Sequence, residues 1–409
     1  MPGSGLPGAG PPAGPATEPL AQVPPRHAAP LPKLDIWAVE QALGSLTGGA
    51  QECAGTFYGH LFAAHPELRD LFPAMMSAQN ERLFGALVQI GGLLGRPDRL
   101  AAYVRQLGVD HLKYGVRPEM YAWVGEALLR TLRDRSAGWD DRREAACTTA
   151  YAVISDLMID AAETSTGPPW WRGRVLRHEM RAKDLAILDL QTDAPFPYEP
   201  GQYLTLQHPK WSRVWRQFSI ASPPAREGDR VQLHVRQVTG GWVSTALTRD
   251  TPDGGEVLLG PAVGSMTAEA AGDRDLLLIA GGVGLAPLEA MAKDVLARDE
   301  SALAGGWGLR RNITLFHGAR NALGLYDAHD LHELEKSYPW FQVVPVVSAD
   351  PNFTGLRGSV SGAAVGYGDW MNREAYLAGP AEMISDAARG LCAAGVPEDR
   401  VHYDEAAAG

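Results

Sequence analysis

Hydrophobic periodicity changes twice along this chain, and no single layer of structure accommodates both changes. From about Asp35 to Glu163 apolar residues recur three and four positions apart without alternating, which predicts helices. Gly-Pro-Pro in "TSTGPPWWRGRV", residues 164–175, then punctuates the pattern and marks a boundary. Short β-like runs follow, among them "LAILDLQT", "QYLTLQH" and "VQLHVRQV", separated by turn signals; they predict a small antiparallel barrel. From about Arg274 strands alternate with helices: "DLLLIA" before "GGVGLAP", "NITLFHGA" before "YDAHDLHELEKS", and "AYLAGP" before "AEMISDAARGLCAAG". That alternation predicts a parallel sheet covered by helices. The expected fold is therefore multidomain: an all-α unit over 35–165, an antiparallel β-barrel over 168–270 and an α/β parallel-sheet unit over 274–405. The Pro, Gly and Ala-rich residues 1–34 are expected to form a disordered arm, with too little apolar surface to offset ordering entropy.

Charge and cysteine usage narrow the function classes. A net charge of −11 over 409 residues argues against a large nucleic-acid-binding surface, while leaving room for a local basic pocket around a small phosphate. No uninterrupted apolar run reaches the ~18–20 residues of a membrane span. The N-terminal arm lacks the basic and apolar regions of a signal peptide. Cys53, Cys147 and Cys392 lie far apart, without metal-ligand spacing, and are expected to be free thiols in a reducing, cytoplasmic setting. No obligate protein partner is inferred.

In "LGVDHLKYGVRPEMY", residues 107–121, a helix, a break at Gly115 to Pro118 and a second helix are expected. Leu100, Val104, Leu107 and His111 follow a 4-3-4 spacing, so His111 points inward, either as a core histidine or as a metal ligand. Tyr58 shares a helix with Phe57, Leu61 and Phe62, and its hydroxyl needs a partner if buried. Phe72 closes "PELRDLFP", and Gln79 and Leu83, four apart, share one helix face. Core packing accounts for each of these taken singly.

Together the ordered stretches "TFYGHLFAAHPELRDLFP", "QNERLF" and "DHLKYGVRPEMYAWVGEALL" resemble the globin domain of the flavohaemoglobin family. The resemblance implies haem b with His111 as the proximal iron ligand, Phe72 against the haem face, Tyr58 and Gln79 on the distal side, and Leu83 shaping the distal pocket. It gives the Tyr58 hydroxyl a hydrogen bond to donate to bound dioxygen, and places Tyr121 beside the proximal histidine. The chain departs from the family in having Ala162 where a glutamate is expected, with Glu163 one residue, or about 100°, further on. Cys147 replaces a tryptophan, and Asp110 stands where lysine is common. A missing carboxylate predicts a less basic imidazole and a higher haem potential.

The second half resembles the ferredoxin–NADP reductase superfamily. "RQFSIAS", with Arg216, Gln217, Phe218 and Ser219, resembles the flavin motif, with Phe218 in place of the usual tyrosine. "PGQY", with Gln202 and Tyr203, fits the neighbouring flavin strand. "GGWVSTAL", with Gly240, Gly241, Val243 and Ser244, resembles the turn and helix start under the flavin pyrophosphate. "LLLIAGGVGLAP", with Gly281, Gly282, Val283, Gly284, Leu285, Ala286 and Pro287, resembles the nicotinamide side, completed by Gly379 and Pro380 of "YLAGP", where Ala378 replaces a cysteine. Asp404 matches an acidic position near the flavin, and Ala406 stands where the family has an aromatic covering it. Arg320 is a candidate contact for an adenosine phosphate, leaving NADH or NADPH open. The implied cofactors are haem b, FAD and NAD(P)H. The implied activity is oxidation of nitric oxide to nitrate by O2, with electrons passing from NAD(P)H through FAD to haem. Two rivals remain: a divergent member drawing on another electron donor, and a haem-based O2 or redox sensor.

Overall fold

The computed structural model describes residues 34–225, 228–306 and 308–404. The expected disorder of the arm before Leu34, and the place of Ala406, lie outside the described residues.

Six helices open the chain: α1 (Ile36–Gly44), α2 (Ala50–Ala64), α3 (Ser77–Leu93), α4 (Pro97–Leu112), α5 (Pro118–Arg135) and α6 (Asp141–Thr164). Pro97 and Pro118 begin α4 and α5, where a missing N–H costs nothing. Gly115 turns the chain between these two helices at φ +73°, a left-handed conformation that favours glycine. Leu100 and Val104 of α4 are buried with Ala150 and Met158 of α6. The two helices meet at Gly108, where a Cβ would stand 2.3 Å from the Met158 carbonyl oxygen. Gly108→Val is therefore expected to force these helices apart and cost about 1–3 kcal/mol. Urea denaturation followed by helical circular dichroism measures it; an unchanged midpoint would show that the contact yields freely. By length and composition α6 is the one helix among the described residues able to cross a membrane. Asp156 and Asp160 interrupt its apolar text, and Ala146, Cys147, Ala150, Val153 and Met158 are buried.

The next unit contains β1 (Trp171–Ala182), β2 (Leu185–Thr192), β3 (Tyr203–Gln207), β4 (Trp215–Ser219), β5 (Arg230–Arg236), α7 (Trp242–Arg249) and β6 (Glu256–Leu259). The strands run in the order β4-β3-β6-β1-β2-β5, and every pair is antiparallel. A bridge from Ile220 to Leu233 brings the end of β4 against β5 and curls the sheet into a barrel. Leu188, Leu190, Leu204, Leu206, Leu233 and Val257 fill its interior.

The last unit contains β7 (Leu276–Gly281), α8 (Leu285–Ala304), β8 (Ile313–Ala319), α9 (Ala328–Ser337), β9 (Phe341–Val347), β10 (Leu356–Arg357), α10 (Val360–Tyr367), β11 (Glu374–Ala378), α11 (Ala381–Ala393) and β12 (Val401–His402). Its parallel sheet has the order β10-β9-β8-β7-β11-β12. Leu276, Leu278 and Ala280 face one core with Leu288 and Met291 of α8; Leu277 and Ile279 face the other with Ile384 and Leu391 of α11. Burial on both faces explains why "LLLIA" is apolar throughout rather than alternating.

A buried polar seam joins barrel and sheet. His234 Nδ1 of β5 lies 2.8 Å from the Tyr326 hydroxyl, and Glu289 of α8 pairs with Lys293 at 2.5 Å. His234, Glu289 and Asp327 bring their ligating atoms within 4.8 Å of one another. The Lys293 ammonium already supplies a cation there. Burial pushes the Glu289 carboxyl well above its usual range.

Candidate functional site

The structure gathers Tyr58, Phe72 and Leu83 into one aromatic-rich cluster with Phe57, Leu61 and Phe62. The Tyr58 ring meets Phe72 edge-on at 5.3 Å and stacks on Phe62 at 5.6 Å. Burial pushes the Tyr58 hydroxyl up to about 12, against the opposing effect of the Gln79 side chain beside it. Tyr58 is thus a neutral donor at physiological pH.

His111 ends α4. Its Nδ1 lies 2.6 Å from the Leu107 carbonyl oxygen, which accepts only if Nδ1 carries the proton. That fixes the tautomer and leaves the Nε2 lone pair free, the arrangement a metal-ligating histidine uses. Burial pushes the imidazole below its ordinary range and keeps it neutral. Yet the residue is only half-buried, so side chains do not cover it completely. The apolar face of α3 shows the same incompleteness: Leu83, Phe84, Leu87 and Ile90 are all half-buried, and α3 has no fully buried residue. A free imidazole nitrogen and an incompletely covered apolar helix face are what a flat apolar group with one open coordination position requires.

Tyr121 is buried, with its ring 6.5 Å from that of His111. The Tyr151 hydroxyl donates to the Tyr121 carbonyl at 2.6 Å, and a Cβ on Gly125 would strike the Tyr151 ring at 2.5 Å. Tyr151 therefore braces the start of α5, a role with no local sequence signal. Glu163 is exposed on the last turn of α6, and Cys147 is buried, its thiol pushed up to about 11.

The turn after His111 docks on the barrel. The Lys113 side chain, 5% exposed, donates from Nζ to the Thr205 hydroxyl of β3 at 3.1 Å and pairs with Asp110 at 3.4 Å. Burial pushes the Lys113 ammonium down, and Asp110 opposes that shift. The Tyr114 ring stands 6.2 Å from His111 and 6.4 Å from Trp215 of β4, edge-on to both. A short aromatic path thus connects His111 to the strand carrying Arg216 and Phe218. Sequence reading missed Lys113, Tyr114 and Trp215, because nothing local in the chain marks an interdomain contact.

Pairing of β3 with β4 sets Tyr203 opposite Ser219 and Leu204 opposite Phe218. Phe218 and Ser219 are half-buried, and Gln217 is exposed. Gln202 is engaged by the fold: its side chain accepts from the Glu199 N–H at 2.9 Å and donates to the Gly264 carbonyl at 3.2 Å. Gly264, at φ +119°, leaves room between Asp404 and the Tyr203 ring; a Cβ there would be 3.3 Å from each. Burial pushes the Asp404 carboxyl up, against N–H groups of Ser265 and Met266 that favour its ionised form. Val243 is buried in the barrel core, and the Ser244 hydroxyl accepts from the Val238 N–H at 3.1 Å, so both shape the Gly240–Gly241 turn. Arg216 has no carboxylate partner among the described residues. It is half-buried, and that burial pushes its guanidinium down.

Two turns meet at the C-terminal ends of β7 and β11. A Cβ on Gly284 would lie 2.1 Å from the Ala378 carbonyl oxygen, and Gly379, at φ +152°, sits 3.0 Å from the Gly281 backbone by the same measure. Gly282 turns at φ +56° into open space. Leu285, Ala286 and Pro287 are buried in the first turn of α8, and Val283 packs on the same core. Pro380 follows Gly379 as the N-cap of α11. Arg320 is exposed beyond β8. The cradle is backbone against backbone at a strand-to-helix turn, where a dinucleotide phosphate approaches closely.

Residues 55–158 match the globin family, 173–266 the oxidoreductase FAD-binding domain and 278–389 the oxidoreductase NAD-binding domain. Over 276 residues the chain is 34% identical to the reductase component DmpP of phenol 2-monooxygenase from a Pseudomonas species, covering 64% of this chain and 74% of that one. It is 26% identical over 387 residues to a flavohemoprotein of Rhizobium meliloti, covering 85% of this chain and 91% of the relative. The solved flavohemoglobin of Malassezia yamatoensis, with bound FAD and heme, shares the fold. Its TM-score is 0.72 at 17% identity, over 90% of this chain and 97% of that one.

Proposed function

The chain belongs to the flavohaemoglobin family, a globin fused to an FAD- and NAD-binding oxidoreductase, and from that premise we propose that it oxidises nitric oxide to nitrate with O2. The cofactors supply hydride acceptance from NAD(P)H, one-electron passage and O2 activation when bound. The residues supply placement. His111 would hold iron through its Nε2, with the Leu107 carbonyl keeping its other nitrogen protonated. Tyr58, kept neutral by burial, would donate a hydrogen bond to a bound ligand, with Gln79 beside it. Tyr114 and Trp215 link the His111 turn to the flavin strand. Arg216 would take a flavin phosphate, and Gly281, Gly284 and Gly379 would let the nucleotide approach. We assign the cofactor contacts to the residues named from the sequence, divide the chain at the boundaries given there and place the protein in the cytoplasm.

The observation that carries this reading is the joint presence of a free His111 Nε2 and a buried Tyr58 donor in a chain whose own barrel docks beside them. Stopped-flow mixing of the reduced, oxygenated protein with nitric oxide tests it: nitrate should form much faster than with free haem. No nitrate, or a rate no faster than free haem, rejects the assignment. Tyr58→Phe is expected to raise the O2 dissociation rate about 10- to 100-fold, since hydrogen bonds to charged groups contribute ~1.5–3 kcal/mol. Flash photolysis reads this directly.

A second reading keeps the cofactors and changes the electron donor. Ala378 and Phe218, both departures in the reductase half, and the kinship of that half with a monooxygenase reductase favour it. Rapid anaerobic bleaching of the flavin by NADH or NADPH alone would count against this version.

A further inference from the structure

We propose that Arg82, on globin helix α3, is a second cation for the flavin diphosphate, so that FAD is held between the helical unit and the barrel. The inference rests on the reading that the barrel binds FAD. It starts from the Trp215 carbonyl on β4, an edge strand of the barrel sheet. Arg216 Nη1 donates to that oxygen at 2.9 Å, and Arg82 Nη2 donates to it at 3.3 Å from the other domain. Two guanidiniums thus converge on one neutral acceptor.

Each guanidinium has five N–H donors, and among the described residues each makes a single hydrogen bond. Neither is paired with a carboxylate there, although acidic residues outnumber basic ones by 48 to 37. Other arginines find such partners readily: Arg142 with Asp35 at 2.8 Å, Arg181 with Asp330 at 2.8 Å, Arg274 with Glu374 at 2.7 Å. Burial and Arg82 both push the Arg216 guanidinium down, so Arg216 feels the neighbouring cation. Two like charges held together without a counter-ion are destabilising, and a doubly charged diphosphate relieves both at once. The haem carboxylates are the rival anions. Arg82 is exposed and about 100° around the helix from Leu83, and it shares its anchor with the flavin motif, which favours the diphosphate.

The consequence is linkage. An anion bound to Arg82 and Arg216 together stabilises the docked arrangement of globin and barrel, and docking in turn tightens flavin. The test uses the full chain, haem-loaded and stripped of flavin, titrated with FAD by fluorescence quenching. Arg82→Gln should raise the FAD dissociation constant at least about tenfold, Arg82→Glu further, and Arg82→Lys less, with the Soret band unchanged. FAD should also raise the Soret-detected melting temperature of the parent more than that of Arg82→Gln. A dissociation constant within twofold of the parent in Arg82→Gln overturns the proposal, as does loss of haem with unaltered flavin affinity. Failure of the parent itself to take up FAD would instead overturn the flavoprotein reading on which it rests.

Discussion

His111→Ala is expected to yield a folded protein that keeps its flavin and loses its haem. The His111 Nε2 has no hydrogen-bond partner among the described residues, since Nδ1 is the atom committed to the Leu107 carbonyl. Changes in groups that merely orient a metal ligand cost about 10–100-fold in affinity, and removal of the ligand exceeds that. The side chain is half-buried at the end of α4, and truncation there leaves Leu100 and Val104 in the core untouched. The absorption spectrum of the purified variant should therefore show the flavin bands without a Soret band. Full retention of the Soret band would move the ligand elsewhere and undo the assignment of this cleft. Imidazole added in solution should restore part of the band, because the cavity left by truncation admits it.

The second large effect is expected from Gly284→Val. The added Cβ would lie 2.1 Å from the Ala378 carbonyl oxygen, far inside contact distance; the Cβ is fixed by the backbone and the oxygen belongs to it, so neither can rotate away. The β7–α8 turn must then part from the β11–α11 turn by about an ångström, and misplacement on that scale costs on the order of 100-fold in rate. Overpacking adds about 1–3 kcal/mol of destabilisation. Anaerobic flavin reduction by NADH or NADPH should slow about a hundredfold while flavin content and reduction by dithionite persist. An unchanged rate would show that this turn is not where the nucleotide is held.

Much of the architecture was legible because its cause is local. The 4-3-4 spacing of Leu100, Val104, Leu107 and His111 turns His111 inward on any α-helix. The change from helical period to short alternating runs, and then to βαβ units, follows from which face each element must bury. The glycines of "GGVG" and "AGP" announce close backbone approach, and the structure shows the two turns touching. The expected weakness on the proximal side is also consistent with the fold: Glu163 is exposed, and Tyr121 is braced instead by the Tyr151 hydroxyl at its backbone.

Other features were not legible. Gln202, Val243 and Ser244 lie in motifs that resemble cofactor contacts, and the fold also uses Gln202 to tie a loop, Val243 to fill the core and Ser244 to hold a turn. A motif specifies residue type at a position, whereas side-chain engagement depends on neighbours remote in sequence.

The sequence by itself determined the order of the three units, the helix face that carries His111, and the glycine turns, because propensity, periodicity and backbone freedom are local properties of a chain. Only the tertiary structure decided that Lys113 reaches Thr205, that Tyr114 meets Trp215 and that Arg82 and Arg216 share one carbonyl. These pairs stand 92, 101 and 134 residues apart in the chain. Their geometry is set by how a helical bundle and a barrel dock, a relation that no spacing within either unit encodes.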